Sequence, residues 1–287
     1  TYHTMETCVT FTYMQLCHRL LCKTGNSFYA EEFEHTMYNA LMATMKNDGS
    51  QISKYSPLEG RRQPGEEQCG MHINCCNANG PRGFALIPKT ACTIKDNHIY
   101  LNLYLPLQAT ISLNKKNKVH LNVESDYPIH GKVNVNIGVQ KKEKFTLALR
   151  IPTQIEKMKA YINGEEQDKG GYLYIERIWE NADKVTLDFK IETKVVKLNN
   201  SQAIVRGPLL FARDSRFNDG DIDECATIKC NNQGVIQAKI KKNKTGTFPW
   251  ITLTVPAVLG TDLENVENKT PKLINFCDFS SSGNDWN

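Results

Sequence analysis

The spacing of apolar residues changes once along the chain, from a helical period to a strand period, and the change falls near Thr93. Between Val9 and Lys23, the residues Phe11, Met14, Leu16, Leu20 and Leu21 form a broad buried stripe that predicts a helix, with Gly25 as its stop. A second helix is expected at once, capped by Asn26 or Ser27. Phe33, Met37, Ala40, Leu41 and Met45 keep helical spacing until Asn47-Asp48-Gly49 ends it. A third is expected with Asn79 as N-cap and Pro81 in its first turn. Two closely joined helices make a hairpin that cannot bury both faces alone, so further N-terminal sequence or a docking partner is expected.

After Thr93 the alternation is of period two. His98 to Leu105, Val119 to Val123, Val133 to Val139, Phe145 to Ile151, Met158 to Ile162, Tyr172 to Glu176 and Val185 to Ile191 read as strands. Asn163-Gly164 and Gly170-Gly171 are turn signals. Ala203 to Ala212, Val235 to Ile240, Trp250 to Val255 and Lys272 to Phe279 continue the series past an irregular acidic loop at 214 to 224. Parallel pairing would need crossover helices that the pattern lacks, so antiparallel β-sandwiches are expected, with a soft boundary near residue 200.

Length and charge narrow the classes. A chain of 287 residues fits two or three domains. Thirty-five basic against 31 acidic residues give +4, far from a nucleic-acid-binding balance. The lysine clusters at 115 to 118, 141 to 144 and 241 to 244 read as solvated turns. No apolar run approaches the roughly 18 residues of a membrane span, and the start does not resemble a signal peptide. Residue 1 is Thr, so this is read as the remainder of a longer protein. Ten irregularly spaced cysteines leave the redox compartment open, with Cys225 and Cys230 close enough in sequence to pair. A periplasmic or extracellular location is favoured over a cytoplasmic one, and an oligomer is allowed.

The vicinal pair Cys75-Cys76 carries the candidate chemistry. At a helix start, backbone N–H groups and the positive dipole end stabilise thiolates, which leaves metal binding, nucleophilic attack, two separate disulfides or an inert pair as readings. Glu6 and Cys8, two apart, would aim to one side in extended backbone. One carboxylate oxygen and three thiolates from Cys8, Cys75 and Cys76 would suit four-coordinate zinc, although the separation matches no common zinc-finger pattern. His72 is a further ligand or a polar wall.

Glu6-Thr7-Cys8, Tyr38-Asn39, Tyr55-Ser56-Pro57-Leu58 and Cys75-Cys76 followed by Asn79 and Arg82 resemble glycoside hydrolase family 127. Downstream, Tyr100 to Tyr104, Leu149-Arg150-Ile151-Pro152, Gly171-Tyr172-Leu173, Arg206-Gly207-Pro208-Leu209 and the terminal Gly283 to Asn287 look like that family's accessory β-region. The resemblance implies a multi-domain α plus β protein: the C-terminal helices of an (α/α)6 barrel in 1–94, then two antiparallel β-sandwich domains in 95–200 and 201–287, the last strand free to return to the first sandwich. It implies a retaining glycosidase that releases non-reducing-terminal β-L-arabinofuranose, or a related sugar, from plant-type glycans. Cys75 would be the nucleophile, Glu6, Cys8, Cys75 and Cys76 the zinc ligands, and Glu34, Tyr55 and His72 the sugar contacts. The acid/base glutamate is expected upstream of residue 1.

Two other classes stand beside this one. A non-catalytic, zinc-stabilised carbohydrate-binding or structural fragment would keep the metal without turnover. A cysteine hydrolase with His72 or His35 as base would present a thiol that alkylates without a chelator.

Overall fold

The structure, a computed structural model, describes residues 5–62, 74–113, 117–155, 157–161, 171–198, 201–244, 247–260 and 269–283. His72, the Asn163-Gly164 turn, Gly170 and the last four residues lie outside these.

Helix α1 (Thr7–Thr24) and helix α2 (Ser27–His35) form where the apolar stripe predicts them. Gly25 N–H closes α1 on Leu21 O at 2.8 Å, and Asn26 Oδ1 accepts from Phe28 N–H at 3.0 Å to start α2. The chain continues as a π-helical turn (Thr36–Leu41) and a 3-10 turn (Met42–Thr44), keeping Phe33, Met37 and Leu41 fully buried. Helix α3 (Cys75–Ala91) begins earlier than the Asn79 cap predicts. Asn74, itself buried, supplies the cap: its Oδ1 accepts from Cys76 N–H at 2.9 Å and from Asn77 N–H at 3.3 Å. An Asn directly before the cysteines satisfies the orphan donors of the first turn, so Asn79 and Pro81 fall inside the helix. Among the described residues there are three α-helices and no closed helical barrel, and no helix is long and apolar enough to cross a membrane.

Two compact units divide the chain. One takes Tyr13–Glu34 and Ala85–Ile191. Its strands are β1 (Cys92–Lys95), β2 (His98–Leu101), β3 (Leu107–Ser112), β4 (Lys118–Ser125), β5 (Lys132–Val139), β6 (Glu143–Arg150), β7 (Lys157–Tyr161), β8 (Tyr172–Trp179) and β9 (Asp183–Lys190). They form a four-stranded sheet in the order β1-β2-β6-β8 and a five-stranded sheet in the order β3-β4-β5-β9-β7. Inward residues of both sheets, among them Leu101, Val119, Leu121, Val135, Leu147, Leu149 and Leu187, share one core. Trp179 stacks on Phe145 and donates its indole N–H to Phe145 O at 3.0 Å, which removes the cost of burying that donor.

One pairing departs from the expected antiparallel rule: β2 runs parallel to β6, with His98 beside Thr146 and Leu101 beside Leu149. A parallel pair needs a long crossover. Here β3, β4 and β5 of the other sheet provide it, so no helix is required.

The other unit takes the described residues of Thr1–Thr12, His35–Phe84 and Glu192–Asn287. Its strands are β10 (Thr193–Leu198), β11 (Ser201–Arg206), β12 (Leu209–Ala212), β13 (Ala226–Ile228), β14 (Lys239–Lys242), β15 (Ile251–Leu259) and β16 (Lys272–Asp278). They make one antiparallel sheet in the order β10-β11-β12-β16-β15-β13, with β14 also on β15. The expected single strand from Ala203 to Ala212 is two strands, because Gly207-Pro208 turns the chain back on itself. Asn39 reads that turn: its Nδ2 donates to Pro208 O at 2.8 Å and its Oδ1 accepts from Leu210 N–H at 2.9 Å.

Candidate metal centre and active site

Glu6 is placed by backbone. It pairs with Tyr55 in an isolated antiparallel bridge, flanked by Thr7 N–H to Lys54 O at 2.9 Å and Ser56 N–H to Met5 O at 3.3 Å. The buried Thr7 hydroxyl donates to Ser53 O at 2.7 Å. Helix α1 starts at Thr7, and Thr10 N–H donates to Glu6 O at 2.9 Å. Cys8 is thus in a first helical turn, and the extended backbone expected for residues 6 to 8 is a correction. The bridge before the helix aims Glu6, and the helix aims Cys8.

Cys75 and Cys76 open α3, so two helix starts converge on one spot. The N-terminal half of α3 lies close against its neighbours because it carries glycines. A Cβ on Gly83 would stand 2.6 Å from Leu41 Cδ1, and one on Gly80 would stand 3.0 Å from three atoms of Ile52. Asn79, freed from capping, donates its side-chain amide to Cys8 Sγ at 3.2 Å and accepts from Arg82 Nη1 at 3.1 Å.

One ligand atom each from Glu6, Cys8, Cys75 and Cys76 lies within 4.8 Å of the others. Cys8 Sγ is 3.0 Å from Cys75 Sγ and 3.4 Å from Cys76 Sγ. The vicinal thiols differ in access: Cys75 is exposed and Cys76 is fully buried. Burial pushes the Cys76 thiol up to about 12, with Cys8 beside it adding to the effect. Burial also raises the pKa of Cys8, against the opposing Asn79 hydrogen bond. A cation beside Cys8 and Cys76 would offset the burial that raises both thiols.

Three sulfurs and one oxygen suit the tetrahedral N/S/O chemistry of zinc. Bonds of about 2.3 Å would hold sulfurs about 3.8 Å apart, so the thiols need to part by less than about 1 Å. The donor set fits the metal.

The implied sugar contacts fall in different settings. Tyr55 is half-buried beside Glu6, with Lys54 Nζ 5.4 Å from its ring centre. Glu34 is buried in the other unit, where its Oε1 lies 2.7 Å from Arg150 Nη2 and its Oε2 accepts from Tyr127 OH at 3.0 Å. Burial opposes the Arg150 charge, but Glu34 beside it raises its pKa overall, as a desolvated ion pair does. His72 lies outside the described residues. Asn74 and Asn79 brace the cluster through hydrogen bonds, a part the sequence pattern does not assign to them. An Asn directly before the cysteine pair was the available signal for Asn74. Asn79 carried none, since its partner is 71 residues away.

Comparison with known proteins bears on the family and the fold. The profile described as "Beta-L-arabinofuranosidase, GH127 catalytic domain" matches residues 1–89, and "Beta-L-arabinofuranosidase, GH127 middle domain" matches residues 98–191. Together they cover more than half of the chain. No curated protein matches. Among solved structures, a GH127 β-L-arabinofuranosidase from Geobacillus stearothermophilus T6 is similar at TM-score 0.78 and 21% identity, over 98% of this chain and 48% of that one. A structure described as a GH127 β-arabinofuranosidase gives 0.75 and 22% over the same shares. One described as a glycoside hydrolase gives 0.73 and 23%, over 98% of this chain and 50% of that one. At these identities the likeness is one of fold, and the chain spans about half the length of each structure.

Proposed function

The chain belongs to glycoside hydrolase family 127, and on that premise we propose that it is part of a retaining glycosidase releasing a non-reducing-terminal β-L-arabinofuranose or a related sugar from a glycan. Helices α1 to α3 would then belong to an (α/α)6 barrel, followed by β-domains at 95–200 and 201–287.

The observation that carries the reading is the asymmetry of the cluster. Four donors converge, yet only Cys75 of the vicinal pair opens to solvent. Of the two vicinal thiols, the exposed Cys75 is open to an anomeric carbon and the buried Cys76 is not. Glu6, Cys8, Cys75 and Cys76 would hold zinc, which when bound keeps the thiols ionised at neutral pH and fixes their direction. The Cys75 sulfur attacks the anomeric carbon as the bond to the leaving oxygen breaks, giving a thioglycosyl link that water then cleaves. Asn79 holds Cys8 in position through its amide. The leaving oxygen needs a proton from a second group, and Glu6 is committed as a ligand, so that donor is outside the cluster. Tyr55 and His72 are assigned to the sugar. The Glu34 assignment is weaker because both of its oxygens face Arg150 and Tyr127.

The test is a pair of variants in the enzyme containing this chain, assayed on a β-L-arabinofuranoside together with zinc analysis. Cys75→Ser is expected to lose at least about 1,000-fold in kcat, as removal of a nucleophile does. Cys76→Ser is expected to bind zinc more weakly and to recover activity with added metal. Full activity in Cys75→Ser would end the reading.

A further inference from the structure

A second concavity lies in the same unit as the thiol cluster. It measures about 630 Å³, within the range of small-molecule sites, and is formed by the segment 57–61, the loop 212–223 and residues 282–283. The segment that builds one wall leads directly from the cluster: Tyr55 pairs with Glu6, and Pro57 is already a lining residue. Two residues of extended chain span at most about 7 Å.

The walls are tied in place before any ligand arrives. Arg213 donates to three backbone carbonyls of the loop, those of Asp221, Ile222 and Glu224. Asp214 accepts from Arg216 Nε at 2.7 Å, Arg216 Nη2 at 2.6 Å and Gly283 N–H at 2.9 Å. Gly283 O in turn accepts from Arg62 N–H at 3.0 Å, which fastens the 57–62 segment to the chain's far end.

The lining chemistry narrows the ligand. Arg61, Arg213 and Arg216 are matched by Glu59, Asp214 and Asp223, so three guanidinium groups and three carboxylates leave no net charge to attract an anion or a cation. Paired donors and acceptors without net charge suit a neutral polyol. Exposed Leu58 and Ile222 add apolar surface for the C–H faces of a sugar ring.

We propose that this cavity is the subsite for the part of the glycan beyond the scissile bond, the leaving-group side, and that Arg61 and Asp223 set preference for its length. This rests on the glycosidase reading above. The subsite would separate long leaving groups from short ones while Cys75 acts on the same terminal sugar.

The experiment uses the enzyme containing this chain and compares kcat/KM for two substrates with one terminal sugar, a methyl glycoside and an oligosaccharide, in wild type, Arg61→Ala and Asp223→Ala. Both residues are exposed, and circular dichroism of each variant checks the fold. Affinity for the free oligosaccharide leaving group is measured by calorimetry on the same three proteins. The ratio of oligosaccharide to methyl glycoside kcat/KM is expected to fall at least about 10-fold, with a matching loss of affinity. An unchanged ratio with unchanged affinity would overturn the subsite. If wild type hydrolyses neither substrate, the glycosidase reading fails by itself, and calorimetry still decides the cavity. Oligosaccharide binding that the variants lose supports the cavity, and absence of binding overturns it.

Discussion

Asn79 donates its side-chain amide to Cys8 Sγ across 3.2 Å, joining the second turn of one helix to the first turn of another. The bond supports a thiol that is itself 3.0 Å from Cys75. Partners of metal ligands fix ligand orientation, and losing one typically costs about 10–100-fold in metal affinity. Asn79→Ala is therefore expected to weaken zinc binding by about that factor without unfolding the chain, as read by chelator competition and circular dichroism. Unaltered affinity would show that the amide does not position Cys8.

At Gly131 in the sandwich, backbone approaches backbone closely. A Cβ on Gly131 would stand 1.8 Å from Phe189 O, and Phe189 N–H donates to Gly131 O at 3.0 Å. Backbone cannot yield as a side chain end can. Gly131→Ala is expected to destabilise the unit by more than about 3 kcal/mol in urea unfolding. Gly83→Ala meets only the flexible end of Leu41 and should cost about 1–3 kcal/mol.

Asp214 gives a pH dependence with a definite sign. Burial works to raise its pKa, but the Arg216 hydrogen bonds and Gly283 N–H outweigh that and hold it below the ordinary carboxylate value. A depressed folded pKa contributes stability in full above the unfolded value of about 3.9, and the contribution is lost as pH falls through the folded pKa. Asp214→Asn should be less stable than wild type by about 1–3 kcal/mol at pH 7. The gap should narrow below about pH 4. A gap that stays constant from pH 7 to pH 3 would contradict the assignment.

Much of this was legible in the sequence, and the parts that were not have physical reasons. Leu21, Gly25 and Asn26 mark a helix end and a helix start because their signals are local. The α3 start was misplaced because two asparagines compete for the cap, and only packing reveals that Asn74 is buried against the turn while Asn79 faces Cys8. The β2–β6 pairing could not be read from alternation, which reports faces and not partners. The donor set was read from residue types and resemblance. Its convergence depends on the Ser53 to Ser56 segment holding Met5 to Thr7 by backbone bonds, which leave no trace in side-chain pattern. Glu34 was placed only by the resemblance, and its burial with Arg150 required a partner 116 residues away.

The central claim is that Cys75, among three clustered thiols, is the one that meets the anomeric carbon. The most direct measurement is fragment-level mass spectrometry after treating the zinc-loaded enzyme with a cysteine-directed electrophile built on β-L-arabinofuranose. The account predicts the sugar's mass on Cys75, none on Cys8 or Cys76, and protection by excess free sugar. Label on Cys76 alone, or label on Cys75 that is indifferent to whether the electrophile carries the sugar, would contradict it.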